Sequence, residues 1–138
     1  MLLGFKARFA PLVEDGSKTH TIRAERKNPP KAGEMCHCYT GLRRKGARLL
    51  GRWPCVKVEG IRIYDRGGTL GVVIDGHDLD RDECNALAWR DGFRGSGPKY
   101  AFAEMAAYWL ALHPQADGPF VFAGHVIHWK YDNGKLPC

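Results

Sequence analysis

The segment 16–23, with the sequence GSKTHTIR, concentrates side chains that could do chemistry. It carries an amine, two threonine hydroxyls, an imidazole and a guanidinium within six residues. A threonine hydroxyl is a weak nucleophile at neutral pH and needs an adjacent base, which a lysine of lowered pKa can supply. A guanidinium or a backbone N–H could stabilise a developing oxyanion. The residue types are therefore compatible with amide hydrolysis and also with the binding of an anion.

The spacing of apolar residues predicts a short helix over residues 9–15, which ends at Gly16. Residues 19–23 then alternate like a strand, whose three polar residues on one face are Thr19, Thr21 and Arg23. The other face carries His20 and Ile22, and we expect His20 to pack in the core rather than to act as a base. Strict alternation puts Lys18 opposite Thr21. A shared site therefore requires that Lys18 lie on the preceding loop or across a bulge.

Further strands are predicted over residues 34–40, 49–64, 70–74 and 120–131, with a bulge or bend at Gly60. Two helices have clear boundaries. Asp80 and Glu83 have the spacing of a capping box at the start of the first helix, and Gly92 should end it. The second helix opens at Pro98 and ends at Pro114. Its apolar stripe, predicted to lie in the core, is Phe102, Met105, Ala106, Trp109 and Leu110.

This order of elements predicts an α+β fold in a single domain over residues 1–138. About five or six mostly antiparallel strands follow one helix, and two helices precede the last strand. Such an order is typical of a small curved β-barrel with flanking helices, and a closing strand would protect the edge of the barrel. A doubly wound parallel sheet is disfavoured because strands and helices do not alternate.

The composition is that of an ordinary globular chain of 138 residues, with 44% apolar and 26% charged residues. It excludes a disordered or collagen-like chain, and no apolar run is long enough to span a membrane. The first residues lack the pattern of a signal peptide, so a cytoplasmic location is expected. Five cysteines are an odd, sparse set, and Cys36-His37-Cys38 has no second pair to complete a zinc site. Reduced, buried cysteines and no metal are the expectation.

Positive charge is concentrated in the first half of the chain. Residues 1–66 hold 15 Lys/Arg and 6 Asp/Glu, a net charge of +9, whereas residues 67–138 hold 6 and 9, a net charge of −3. A basic half is typical of a protein that binds a polyanion, although a solvated surface gives the same count. The residues predicted to follow a nucleic-acid backbone, with aromatic rings for stacking, are Arg43, Arg44, Lys45 and Arg48, with Tyr39 or Trp53.

The segment 16–23 resembles the GxKTxTxR signature of ASCH domains, a branch of the PUA-like superfamily. Further matches follow in order: residues 31–34 (KAGE), residues 39–41 (YTG) and residues 88–93 (AWRDGF). The resemblance covers nearly the whole chain. It implies a β-barrel with flanking helices and a cleft lined by the first signature, and members of this family are widely proposed to bind RNA.

One bacterial branch of the family removes the acetyl group from N4-acetylcytidine and related acylated cytosines. The resemblance implies that its Lys and Thr correspond to Lys18 and Thr21, and that its acidic residue corresponds to Asp91, which is one methylene shorter. Asp91 would lie at the negative end of its helix, where a carboxylate needs a cationic partner such as Lys18. A plain cap before Gly92 is the alternative reading of Asp91.

Three functions remain open from the sequence. The first is a basic cleft that binds RNA or a single base or nucleoside, with Arg23 and Thr19 among its contacts. The second is a catalytic cleft that hydrolyses an acylated cytosine amide or, as a weaker variant, cleaves RNA. The third is a protein-interaction adaptor without a nucleotide ligand. The sequence carries neither a dinucleotide-binding nor a P-loop fingerprint, so no cofactor is expected.

Overall fold

The fold is taken from a computed structural model, which describes residues 1–42, 45–113 and 119–132. It is an α+β fold with seven strands and three α-helices in these residues. In chain order these are β1 (Leu2–Phe5), α1 (Ala10–Asp15), β2 (His20–Ala24), β3 (Met35–Thr40), β4 (Arg48–Asp65), β5 (Leu70–Ile74), β6 (His77–Asp78), α2 (Arg81–Asp91), α3 (Ala101–Leu112) and β7 (Val121–Trp129). A short 3-10 turn, Pro98–Tyr100, leads into α3.

The sheet is organised around the 18-residue strand β4. The first part of β4 pairs with β3, and the second part lies between β7 and β5, all antiparallel. β7 pairs with β2 on its other side, and β5 continues to β6. β1 pairs with β3 in parallel. The sheet is therefore mixed, with one parallel pair among antiparallel ladders.

The predicted barrel is wrong, because the described strands do not close on themselves. β1, β2 and β6 each pair with a single neighbour, so the sheet keeps open edges within the described part of the chain. The bend also lies elsewhere than predicted. Gly60 stays in regular register with His125, whereas the register of β4 against β7 shifts between Cys55 and Lys57. The residue between these two, Val56, is half exposed, as the extra residue of a bulge often is.

The prediction that a helix opens the chain is also wrong, since β1 precedes α1. Leu2–Phe5 is only four residues long and lacks polar alternation, so the residues alone do not indicate a strand. Its strand geometry comes from pairing with β3, where Leu3 aligns with Cys38 and Phe5 with Thr40. The strand total is accordingly seven rather than five or six.

The ends of α2 confirm the predicted boundaries. The Asp80 carboxylate accepts from the Glu83 backbone N–H, and the Glu83 carboxylate accepts from the Asp80 N–H, which completes a capping box. At the other end Gly92 adopts a left-handed conformation with φ of 114°. This glycine fixes where the helix stops, and hence where the side chain of Asp91 is placed.

The apolar stripe predicted for α3 is partly wrong. Its buried residues are Ala101, Met105 and Trp109, spaced four residues apart, and the Trp109 ring packs edge-on against Phe122 with centroids 4.5 Å apart. Leu110, placed in the core by the sequence, has 48% of its surface exposed. Two apolar faces compete on this helix, and the one that meets the sheet is buried.

The cysteines of the described residues are reduced and buried, as predicted: Cys36, Cys38, Cys55 and Cys84. Burial raises the pKa of Cys36 and of Cys38 to about 12, so both remain thiols at physiological pH. None of the helices in the described ranges is long and apolar enough to cross a bilayer.

Candidate functional site

A buried ion pair joins the segment before β2 to the end of α2. The Lys18 Nζ lies 2.6 Å from the Asp91 carboxylate Oδ1 and donates a second hydrogen bond, 2.7 Å long, to the backbone carbonyl of Asp91. The side chains are only 4% and 9% exposed. Charged groups of this kind are rarely found inside a protein unless they are paired, so the sequence must place both partners accurately.

Local backbone geometry brings the amine to the carboxylate. Gly16 ends α1 with φ of 84°, and the Lys18 N–H then donates to the carbonyl of Leu12, which turns the chain back over the helix. Lys18 precedes β2, so it escapes the alternation that would have kept it away from Thr21. The Lys18 ammonium also donates to the backbone carbonyl of Asp91, which is one of the last carbonyls of α2. It therefore lies at the negative end of the helix dipole.

The protonation of the pair is set by opposing effects. Burial lowers the pKa of Lys18, while the charge and hydrogen bonding of Asp91 oppose that shift. Burial works to raise the pKa of Asp91, but Lys18 and the nearby His20 ring hold it below its ordinary value. Asp91 is thus ionised at neutral pH and serves as the fixed negative charge of the site.

His20 also reaches this carboxylate. Its ring is 2% exposed, and Nε2 lies 3.2 Å from Asp91 Oδ1 without forming a hydrogen bond to a described residue. Burial lowers the pKa of His20, so the imidazole is neutral at pH 7. On its other side the ring faces His128, with centroids 5.5 Å apart, and His128 in turn contacts Glu59 at 2.5 Å. His20 is therefore buried, as predicted, but it contacts the site, which the sequence reading missed.

Thr21 and Arg23 form the second polar element of the site. The Arg23 Nε donates to Thr21 Oγ1 over 3.1 Å, and Nη2 donates to the carbonyl of Gly4 over 2.7 Å. Burial lowers the pKa of Arg23, yet a guanidinium stays protonated at any physiological pH. Because Thr21 Oγ1 accepts this charge-assisted hydrogen bond, its own proton remains available to a ligand or a base.

Lys18, Asp91, Thr21 and Arg23 line one pocket with a volume of about 200 Å³, and several aromatic rings form part of its walls. Phe9, Phe93 and Tyr108 pack edge-to-face on one another, with ring centroids 5.2 to 5.9 Å apart. Lys18 Nζ lies 5.4 Å from the centre of the Phe9 ring, and the Arg23 guanidinium lies 5.1 Å from that of Phe5. The pocket thus combines aromatic surfaces with a buried polar end, as small-molecule sites do.

The structure brings together four of the sequence-predicted site residues in this pocket: Lys18, Thr21, Arg23 and Asp91. Thr19 and Tyr39 are outside its lining, and Thr19 uses its carbonyl to accept from the N–H of Trp129. Lys45 is exposed on the loop after β3, and Arg48 pairs with Glu14 at 2.7 Å on the surface. Arg43 and Arg44 lie outside the described residues.

The residues that sequence reasoning missed are the aromatic walls and two contributors from distant parts of the chain, Lys6 and Tyr108. Tyr108 could have been found from the sequence, since it follows Met105 by three residues and so lies near the buried face of α3. In the structure its ring is half buried. Lys6 had no such signal, because β1 itself was not predicted. The contact of His20 with Asp91 had no signal in the sequence, because Lys18 precedes β2 and strand alternation does not relate the two residues.

A larger cavity of about 610 Å³ lies on the outer face of α3 and is lined by apolar residues such as Leu70, Phe102 and Leu110. Its charged lining residues are Asp65, Arg81 and Lys99, which are all exposed. This cavity is the larger of the two. The smaller pocket is nevertheless the better candidate for a functional site, because a buried ion pair, a hydroxyl and a guanidinium converge there.

Comparison of the chain with protein-family models, with curated proteins and with solved structures found no match. What the site can do is therefore inferred from its geometry: it can enclose a small aromatic ring, hold hydrogen-bonding groups against a buried carboxylate and ammonium, and offer a hydroxyl beside a guanidinium.

Proposed function

We propose that the protein binds a single unstacked nucleobase, of a nucleoside or of RNA, in the pocket that contains Lys18 and Asp91. In this proposal the chain is an ASCH-like member of the PUA-like superfamily with an open sheet. The observation that carries the proposal is the contact between Lys18 and Asp91 inside an aromatic pocket. It joins the first signature, GSKTHTIR, to the AWRDGF segment, which lie more than 60 residues apart in the sequence.

The size of the pocket supports a ligand of one or two rings. Pockets for drug-sized molecules span roughly 300–1,000 Å³, so a volume of about 200 Å³ suits a fragment the size of a base. Unpaired bases are recognised by stacking on aromatic rings and by hydrogen bonds to their polar edges. Tyr108, the half-buried ring of the pocket, supplies the first, and Thr21, Lys18 and Asp91 supply the second.

Calorimetric titration of the purified protein with the four ribonucleosides tests this proposal. We expect at least one to bind, and Tyr108→Ala to weaken it by about 1–3 kcal/mol, the usual effect of removing a stacking ring. Tyr100→Ala is the matched control, because Tyr100 is 60% exposed and lines the other cavity. Failure of all four nucleosides and of a short single-stranded RNA to bind would disprove the proposal.

Hydrolysis of an acylated cytosine is the second candidate, and one observation favours it. Thr21 Oγ1 accepts from Arg23 in the pocket that holds Lys18 and Asp91, so a hydroxyl, a cation for the oxyanion and an acid–base pair are gathered there. In the reaction Thr21 Oγ1 would attack the acyl carbon, the amide C–N bond would break, and the acyl group would be held as an ester of Thr21. Lys18, whose pKa burial lowers, would act as a neutral amine that takes the Thr21 proton and gives it to the leaving N4. Water would then hydrolyse the ester, with its hydroxyl going to the acyl carbon and its remaining proton to Thr21 Oγ1.

Incubation with N4-acetylcytidine, followed by chromatography for cytidine and acetate, tests the second candidate. Thr21→Val keeps the shape and the strand preference of the side chain but removes the hydroxyl, so turnover should be lost while the fold persists. Thr19→Val is the matched control, because Thr19 is on the same segment but outside the pocket lining. Nucleoside binding without any release of cytidine would leave the base-binding proposal and remove the catalytic one.

A further inference from the structure

Positive charge exceeds negative charge in the pocket lining. Three cationic side chains, Lys6, Lys18 and Arg23, face one carboxylate, Asp91. Lys18 is in contact with that carboxylate. Within the described ranges, neither Lys6 nor Arg23 has a carboxylate within 4 Å. Lys6 and Arg23 thus form no ion pair with a described residue, and the charge of Asp91 acts on Arg23 only from a greater distance.

Arg23 is the more informative of the two. It is half buried, and its hydrogen bonds go to two neutral oxygens, the carbonyl of Gly4 and the hydroxyl of Thr21. The contacts among described residues leave Nη1 without an acceptor. Because an anion compensates a guanidinium better than two neutral oxygens do, a half-buried guanidinium with a free Nη1 in this pocket favours an anionic ligand.

Lys6 lies at the same pocket and is exposed, with Nζ 5.2 Å from the centre of the Tyr108 ring. A neighbouring cation shows the contrast. Arg8 lies over the same ring at 5.3 Å, but it is paired with Glu104 at 2.8 Å, so its charge is already compensated. Lys6 therefore remains available to an anionic group that enters beside Tyr108.

We propose that the ligand of this pocket carries a phosphate group, which Arg23 and Lys6 bind while the base occupies the aromatic part. This inference rests on the proposed base-binding function and narrows its ligand from nucleosides to phosphorylated ones. A guanidinium is a strong donor to phosphate, and Arg23 Nη1 carries two N–H groups that make no hydrogen bond to a described residue. The ammonium of Lys6 adds a mobile point charge. The same phosphate chemistry occurs in a free nucleotide and in an RNA strand.

Calorimetry at low and at moderate salt, with each ribonucleoside and its 5′- and 3′-monophosphate, tests the inference. We expect a monophosphate to bind about tenfold or more tighter than its nucleoside, as charge-assisted hydrogen bonds to phosphate imply, and the advantage to shrink as salt rises. Lys6→Gln and Arg23→Gln should each remove much of the advantage that the monophosphate has over its nucleoside. Lys99→Gln, at an exposed lysine outside this pocket, should change nothing.

Each outcome decides the matter. Equal affinities for nucleosides and monophosphates would overturn the phosphate inference and leave the base pocket intact, whereas no binding by either would remove both. Lys6 is exposed, so Lys6→Gln tests the inference even if Arg23→Gln fails to fold. A dinucleotide that binds as tightly as the monophosphate assigns the phosphate to an RNA strand; a strong preference for the monophosphate assigns it to a free nucleotide.

Discussion

Two basic regions of this molecule use their charges in opposite ways. In the pocket, Lys18 and Asp91 are almost wholly buried and lie 2.6 Å apart. On the loop between β3 and β4 and at the start of β4, Lys45 and Arg48 are exposed, and Arg48 pairs with Glu14 at 2.7 Å in water. The two ion pairs have nearly the same length, but they lie in very different environments.

The difference shows that the effect of losing one partner of an ion pair on the free energy of unfolding depends on burial rather than on the density of charge along the sequence. An exposed pair gains little because water screens it, with a typical contribution of about 0–1 kcal/mol. A buried pair has exchanged its hydration for one partner, so the loss of that partner leaves a charge with nothing to compensate it. The concentration of 15 basic residues in the first half of the chain therefore does not identify the site. The candidate site is indicated instead by one lysine among them, Lys18, whose ammonium is buried against a carboxylate.

The largest effect is expected from breaking the buried pair. Lys18→Met should lower the free energy of unfolding by about 3–5 kcal/mol, because Asp91 is left ionised and buried without its partner. Urea unfolding followed by circular dichroism measures the change. Lys45→Met, at an exposed lysine on the basic loop, is the control and should stay within about 0.5 kcal/mol of the parent.

The double variant Lys18→Met with Asp91→Leu sharpens the same comparison. Replacement of both charges by apolar side chains of similar volume should recover most of the lost stability, since buried ion pairs are often no better than a packed apolar pair. Ligand binding should not recover. If the double variant is as unstable as the single one, the pair is not the reason why Lys18 matters to folding.

A smaller loss is expected at Gly92, which sets the position of Asp91. A Cβ at Gly92 would lie 2.7 Å from Phe9 Cδ1 and would carry φ of 114°, so Gly92→Ala should cost about 2–3 kcal/mol. Gly33→Ala also has a positive φ, 97°, with nothing within 4 Å of the added Cβ, and should cost about 1 kcal/mol. Equal losses would show that contact with the Phe9 wall of the pocket is unimportant.

Acid should lower the free energy of unfolding, because the buried His20 ring resists protonation. Burial lowers the pKa of His20 in the folded protein, so the unfolded chain takes up a proton below about pH 6.5 while the folded chain does not. Stability is then complete above that pH and falls as the pH drops toward the folded-state pKa, by at most about 1.4 kcal/mol per pH unit.

Urea midpoints between pH 7.5 and 4.5 measure this slope, and His20→Gln should flatten it. The lowered pKa of Asp91 acts in the same direction but only below about pH 4, because its unfolded-state value lies there. A slope that survives His20→Gln would place the titrating group elsewhere.

The sequence predicted what local interactions determine. The capping box at Asp80, the left-handed stop at Gly92 and the strand over residues 70–74 depend on residues within a few positions of one another, and these predictions are confirmed. The predictions that failed depend on partners far along the chain. β1 is a strand because it pairs with β3. The buried face of α3 is the one whose Trp109 packs against Phe122 of β7.

The site follows the same rule. The residue types of the segment 16–23 drew attention to Lys18, and the dipole at the end of α2 indicated that Asp91 would need a cation. That these two meet depends on the turn after Gly16 and on the packing of α2 against β2, which spacing alone does not fix. The aromatic walls come from β1, the residue before α1, the loop after α2 and α3, so no single stretch of sequence carries them.

The smallest effect is expected on the exposed side of the comparison. Arg48→Gln breaks the pair with Glu14, but both side chains are 40–55% exposed, so the free energy of unfolding should change by less than about 1 kcal/mol. Binding of a mononucleotide should be unaffected, since Arg48 is outside the pocket lining. Affinity for an RNA oligonucleotide, measured against salt, separates two possibilities. An unchanged salt slope means that recognition is confined to the pocket, whereas a slope that falls by about one unit means that the loop contacts a phosphate of a longer strand. The second result would mean that the exposed basic residues at the start of β4 take part in RNA binding together with the pocket.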